Sequence, residues 1–170
     1  CDGMIVDYAE RQEQIEPAHY FAEDIISYAR TVAARYESNK EHTENVEKTA
    51  LAIFDGIKKR AGLDQRDGIL LQMACILHDC GKYVNMLGGT DYSCAIVRAT
   101  EFVGLSEQEK SIIADTIKYN AWHYVPKLSE LKAPLNRKNY IRMLKLAAIL
   151  RLANGMDRSH RQKIRRVTTT

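Results

Sequence analysis

The chain has 170 residues and a formal net charge of +3, with 45 % of its residues hydrophobic and 28 % charged. That balance suits one soluble globular domain with its own core, and excludes a disordered polyelectrolyte, a general nucleic-acid coat and a disulfide-stapled miniprotein. No apolar run reaches the roughly 18–20 residues of a membrane span and no secretory pattern opens the chain, so no membrane association is expected.

Residues 1–16 read as the tail of a preceding domain or as a linker. Pro17 then introduces a helix over about 19–36, with Phe21, Ile25, Tyr28, Ala29 and Val32 on one face. The polar break Glu37-Ser38-Asn39-Lys40 leads to a second helix over about 41–61, whose stripe is Val46, Ala50, Ile53, Phe54 and Ile57. Gly62 is the expected stop, and Asp64 the cap of a third helix over about 65–80. That helix is apolar nearly all round, which predicts a central position, and Gly81 is expected to end it. A short helix over about 92–101 follows Gly88-Gly89. Ser106-Glu107-Gln108-Glu109 has the pattern of a capping box and starts a helix to about Tyr119. Pro126 and Pro134 bracket a loop, and Asn136 caps a last helix to about Gly155 carrying Tyr140, Leu144, Ala147, Ala148, Ile149, Leu150 and Leu152. The fold class expected is an all-α helical bundle over 17–160, with a basic exit segment at 161–170 whose β-branched end reads as the start of a strand.

His78 and Asp79 stand together where the third helix runs out, with His42 early in the second and Asp157 after the last. Two imidazoles and two carboxylates near helix ends form the ordered set of a divalent-metal site, with Mg²⁺ or Mn²⁺ expected before Zn²⁺ or Fe. Lys82 follows at a spacing that lets its ammonium meet a phosphate as a point charge. If the domain is itself active, Lys82 is the candidate catalytic residue.

A basic run, Arg158, His160, Arg161, Lys163, Arg165 and Arg166, is the candidate polyanion-binding patch, against the plainer reading of a solvated tail. His19 reads as exposed, and His123 as part of an aromatic packing cluster with Trp122 and Tyr124. Cys1, Cys75, Cys80 and Cys94 show no repeated spacing, which suits reduced thiols and a cytoplasmic setting. Cys80 is no candidate nucleophile, because the Asp79 charge beside it opposes a thiolate.

The order of His42, His78-Asp79 and Asp157 resembles the HD superfamily of metal-dependent phosphohydrolases. More closely, 77–85, Gly104 to Glu109, Ile113 to Asn120 and Ala148 to His160 resemble the C-terminal helical domain of the Ppx/GppA family, the exopolyphosphatases and guanosine pentaphosphatases. The resemblance implies an HD-like helical bundle belonging to a longer phosphoanhydride hydrolase, whose catalytic carboxylates lie in an N-terminal domain not contained in this chain. It implies inorganic polyphosphate or guanosine pentaphosphate as partner, no specific nucleic acid, and a homodimer. Departures stand at Tyr92-Ser93 and Tyr119-Asn120, where many relatives have His-Ser and Tyr-His. Two alternatives are an independent HD phosphohydrolase of nucleotides or phosphoesters, and a non-catalytic dimerisation module.

Overall fold

A computed structural model describes residues 22–121, 127–131 and 135–160. Among these residues are six α-helices and no strand, as the all-α expectation requires. Helix α1 covers 22–35, α2 Lys40–Ala61, α3 Gln65–Leu77, α4 Gly89–Ala99, α5 Glu107–Asn120 and α6 Arg137–Met156, with 3-10 turns at Cys80–Tyr83 and Leu128–Glu130. No described helix is long and apolar enough to cross a membrane.

The helix ends follow local chemistry. The Asn39 side chain accepts a hydrogen bond from the His42 backbone N–H and so starts α2 two residues before that histidine. Gly62 ends α2 in the left-handed conformation, at φ 61°, and its N–H donates to the carbonyls of Lys58 and Lys59. Ser106 and Glu109 form the expected reciprocal box at α5, and Asn136 caps α6 through the Asn139 N–H. Asp64 caps α3 as expected, and Asp67 returns the bond to the Asp64 N–H.

Helix α3 is the centre of the bundle, packed against α2, α5 and α6. Leu70, Leu71, Met73, Ala74, Cys75, Ile76 and Leu77 are all buried, which is why its apolar residues run round every side. Each fully buried leucine contributes about 1.5–3 kcal/mol of transfer free energy, so this one helix anchors its three neighbours. At Gly68 the Phe54 ring closes in; an added Cβ would stand 3.1 Å from Phe54 Cε1.

Several expectations shift. Helix α3 ends at Leu77 rather than near Cys80, because the chain tightens there into the Cys80–Tyr83 turn. Gly81 lies inside that turn. Helix α4 begins at Gly89, earlier than Tyr92, with its first turn packed under the same 3-10 segment. On α6, Ala148 and Leu152 face solvent, while Met143, Leu146 and Ala153 are buried. Tyr28 is half exposed, although Ile25, Ala29 and Val32 of its helix join the core. Pro17, His19, Phe21, Trp122, His123, Tyr124, Pro126, Pro134 and the strand expected near 163–170 lie outside the described residues.

Candidate metal centre

Three helix ends converge beside the C-terminus of α3. The first turn of α2 supplies His42, the residues after α3 supply His78 and Asp79, and the residue after α6 is Asp157. All four are withdrawn from solvent, at 0 %, 2 %, 6 % and 1 % exposure in that order. Four such polar groups are costly to bury unless each has a partner.

The hydrogen bonds fix the histidine tautomers. Nδ1 of His78 lies 2.7 Å from the Cys75 carbonyl oxygen, which only accepts, so Nδ1 carries the proton. Nδ1 of His42 lies 2.9 Å from Oδ2 of Asp157, and donation to that carboxylate again leaves the lone pair on Nε2. Both Nε2 atoms are buried, and neither has a hydrogen-bond partner among the described residues. The His78 Nε2 stands 3.4 Å from Oδ1 of Asp79. One ligand atom each from His42, His78 and Asp79 can be chosen so that all three lie within 4.8 Å of one another.

This donor set fits a divalent cation. Two lone pairs and a carboxylate facing one point would cost about 1–3 kcal/mol for each unsatisfied atom, and an ion answers all of them together. Asp157 stands outside that group of three in this geometry. It reaches the centre through His42, the carboxylate–histidine arrangement that sets ring orientation and basicity around metals.

The local electrostatics agree. Burial is the largest influence on His78 and lowers its pKa, favouring the neutral ligand form. For Asp79 burial pushes upward, but the His78 imidazole and the Lys82 ammonium outweigh it and the net direction is down. Lys82 Nζ sits 2.7 Å from Oδ2 of Asp79, so it borders the centre as an ion-paired, partly exposed cation. The Cys80 thiol is raised, chiefly by burial, which agrees with its exclusion as a nucleophile.

Two residues shape the centre in ways their sequence positions did not announce. Ser93 Oγ accepts from the Gly81 N–H and donates to the His78 carbonyl, both at 2.7 Å, and so ties the His-Asp turn to α4. The serine of the Tyr92-Ser93 pair, present here as in the His-Ser of many relatives, was the available signal for it. His160 has φ 52°, and its ring stacks on His42 at 3.8 Å and 28°. That turn closes through the His160 N–H donating to the Asp157 carbonyl at 2.8 Å. Arg158 is exposed close by, whereas Arg161, Lys163, Arg165 and Arg166 lie outside the described residues. At the other departure, Asn120 is buried and its Oδ1 accepts from Asn154 Nδ2 at 3.1 Å.

Fold and centre together define an all-α domain built round two histidines and an aspartate that converge at one end of its central helix. The family model of the Ppx/GppA phosphatase, domain III, matches residues 27–170. The chain belongs to that family.

Proposed function

We propose that the chain is the helical domain of an exopolyphosphatase-like hydrolase, holding a divalent cation at His42, His78 and Asp79 and binding the polyphosphate chain beside it. One observation carries this reading: the buried Nε2 atoms of His42 and His78 and the Asp79 carboxylate converge, one ligand atom of each lying within 4.8 Å of the others. An ion bound there would polarise a phosphoryl oxygen and lower the pKa of a bound water.

The protein groups divide the remaining work. Asp157 and the Cys75 carbonyl hold the two rings with Nε2 inward. Lys82 offsets the Asp79 charge and meets an incoming phosphate at the rim. Arg158 and the basic residues after it supply the longer-range attraction that a polyanion responds to. In the intact protein this surface would retain polyphosphate, or guanosine pentaphosphate, while terminal phosphate is released.

Titrating metal-free protein with Mn²⁺ tests the centre: one ion per chain is expected, and His78→Ala should abolish it. No uptake by the wild type would overturn the reading. Polyphosphate binding across a salt series tests the surface. Neutralising Arg161, Lys163 and Arg165 together should flatten the salt slope, and an unchanged slope removes the patch.

A second reading, phosphohydrolysis by this domain itself, is favoured by the Lys82 ammonium at the edge of the centre. A phosphatase screen with Mn²⁺ or Mg²⁺ tests it. Activity lost in both Asp79→Ala and Lys82→Ala supports the reading; a wild type inactive on every substrate rules it out.

A further inference from the structure

The geometry points to a binding site for a free, zwitterionic amino acid with an apolar side chain, in the cleft between α1 and α2. The cleft encloses about 460 Å³, a volume typical of small-molecule pockets, and none of its walls belongs to the candidate metal centre.

The walls follow a simple order. Arg30, Ala33, Ala34 and Glu37 recur at spacings of three and four along α1 and the turn that ends it. They therefore share one face, with two methyl groups between a cation and an anion. On α2, Lys40 and Glu44 repeat the two charges, and Ile76 of α3 closes the floor. Ala33 and Ile76 are both buried, so the floor is apolar. At one end Arg30 is already committed, its Nη2 lying 2.7 Å from Glu47 Oε1. The other end is open to a ligand.

Glu37 stands at that open end. It follows α1 in the left-handed conformation, at φ 48°. Its N–H donates to the Ala34 carbonyl and the Ser38 N–H to the Ala33 carbonyl, both at 3.1 Å. Helices commonly place glycine at this position, because a side chain there is strained. Here a glutamate takes the place and brings its carboxylate to the cleft. Glu37 has no ion-pair partner among the described residues. Lys40, three residues on, is exposed, and its ion pair with Glu44 is long, at 3.8 Å.

An unpaired carboxylate and a loosely held ammonium beside an apolar floor match the two charges of an α-amino acid. Its side chain then lies over Ala33, Ala34 and Ile76. Other ligand classes fit less well. A phosphate would face both Glu37 and Glu44, and no aromatic ring among the described walls offers a base a stacking surface. A neutral hydrocarbon would leave the charges at the rim unanswered. The small alanines leave room for a branched aliphatic side chain such as that of leucine.

Calorimetry on the full chain compares leucine with glycine, 4-methylpentanoate and isopentylamine, which lack in turn the side chain, the amine and the carboxylate. Leucine should bind, and each of the others should bind roughly 10–100-fold more weakly, the range for one buried aliphatic side chain or one charge-assisted hydrogen bond. Glu37→Gly restores the residue this backbone prefers, so it should raise the urea midpoint while weakening leucine by a similar factor. A purely structural Glu37 would leave leucine affinity unchanged. Ala34→Leu, at an exposed helical position, should fill the cleft and abolish binding with helix content kept. No leucine binding by the wild type, or equal affinity for leucine and either singly charged analogue, overturns the site. So does leucine binding untouched by both Glu37→Gly and Ala34→Leu.

Discussion

Nδ1 of His42 and Oδ2 of Asp157 meet at 2.9 Å across 115 residues of chain, joining the first turn of α2 to the residue that follows α6. Both partners are buried, so the bond does more than lock two helix ends together. It holds the imidazole proton on Nδ1 and turns Nε2 toward His78 and Asp79.

Removing that acceptor should therefore damage metal binding more than the fold. Asp157→Ala frees Nδ1 to lose its proton to Nε2, which spoils the lone pair. Metal affinity is expected to fall about 10–100-fold, as for other partners of metal-bound histidines. Mn²⁺ titration against the wild type measures it, with far-ultraviolet dichroism as the check on helix content. An unchanged affinity would show that Asp157 does not orient His42.

The His-Asp turn depends on α4 as much as on its own residues. A Cβ on Gly81 would stand 1.9 Å from the Gly89 carbonyl oxygen and 2.3 Å from the Ser93 nitrogen, both backbone atoms that cannot swing aside. Gly81→Ala should lower unfolding free energy by about 3 kcal/mol, the upper end of overpacking costs. Ser93→Ala leaves the Gly81 N–H and the His78 carbonyl unpaired, for about 1–3 kcal/mol. Urea unfolding compares the two. The turn assignment fails if Gly81→Ala is as stable as the wild type.

The chain's apolar periodicity made most of this architecture readable. Gly62, Asp64, Ser106 and Asn136 marked their helix ends correctly, because a cap acts through the two or three residues next to it. The unbroken apolar character of α3 foretold its central place. What failed was information held by distant neighbours. Gly81 looked like a helix stop, but its lack of a side chain serves the close approach of α4, which no local pattern encodes. Leu152 and Ala148 matched a helical stripe by residue type, yet the α6 face that meets α2 and α5 runs through Met143, Leu146 and Ala153. The candidate site was legible as an ordered set of four residues, His42, His78, Asp79 and Asp157. Their division into three converging groups and a partner for His42 required the fold.

Asp67 carries two duties at the start of α3. Its Oδ2 accepts from the Asp64 N–H, and its Oδ1 accepts from Arg142 Nε at 2.7 Å, tying α3 to α6. Asp67 is 2 % exposed, so truncation leaves a guanidinium facing an empty buried position. Asp67→Ala should cost about 3 kcal/mol, combining a broken near-buried ion pair with a lost capping contact. Arg142→Met restores an apolar partner and should recover part of that loss in the double variant. Thermal and urea unfolding of the single and double variants provide the cycle, and strict additivity would deny the coupling.

Glu109 predicts how the fold responds to acid. Burial alone would raise its pKa, but two Arg66 hydrogen bonds and the Ser106 backbone and hydroxyl outweigh it, bringing it from 4.5 down to about 2. A carboxylate held below its unfolded value favours the native state above the unfolded pKa. That contribution is fully present above about pH 5.5 and is lost as pH falls from there toward about 2. Because the pair is partly exposed and screened, its worth is set at about 1 kcal/mol. Glu109→Gln removes the titrating group, so its unfolding free energy should lie about 1 kcal/mol below the wild type at pH 7 and converge with it near pH 2. Urea unfolding at intervals between those values makes the comparison. Parallel curves would show that the Arg66 pair adds nothing to the acid dependence.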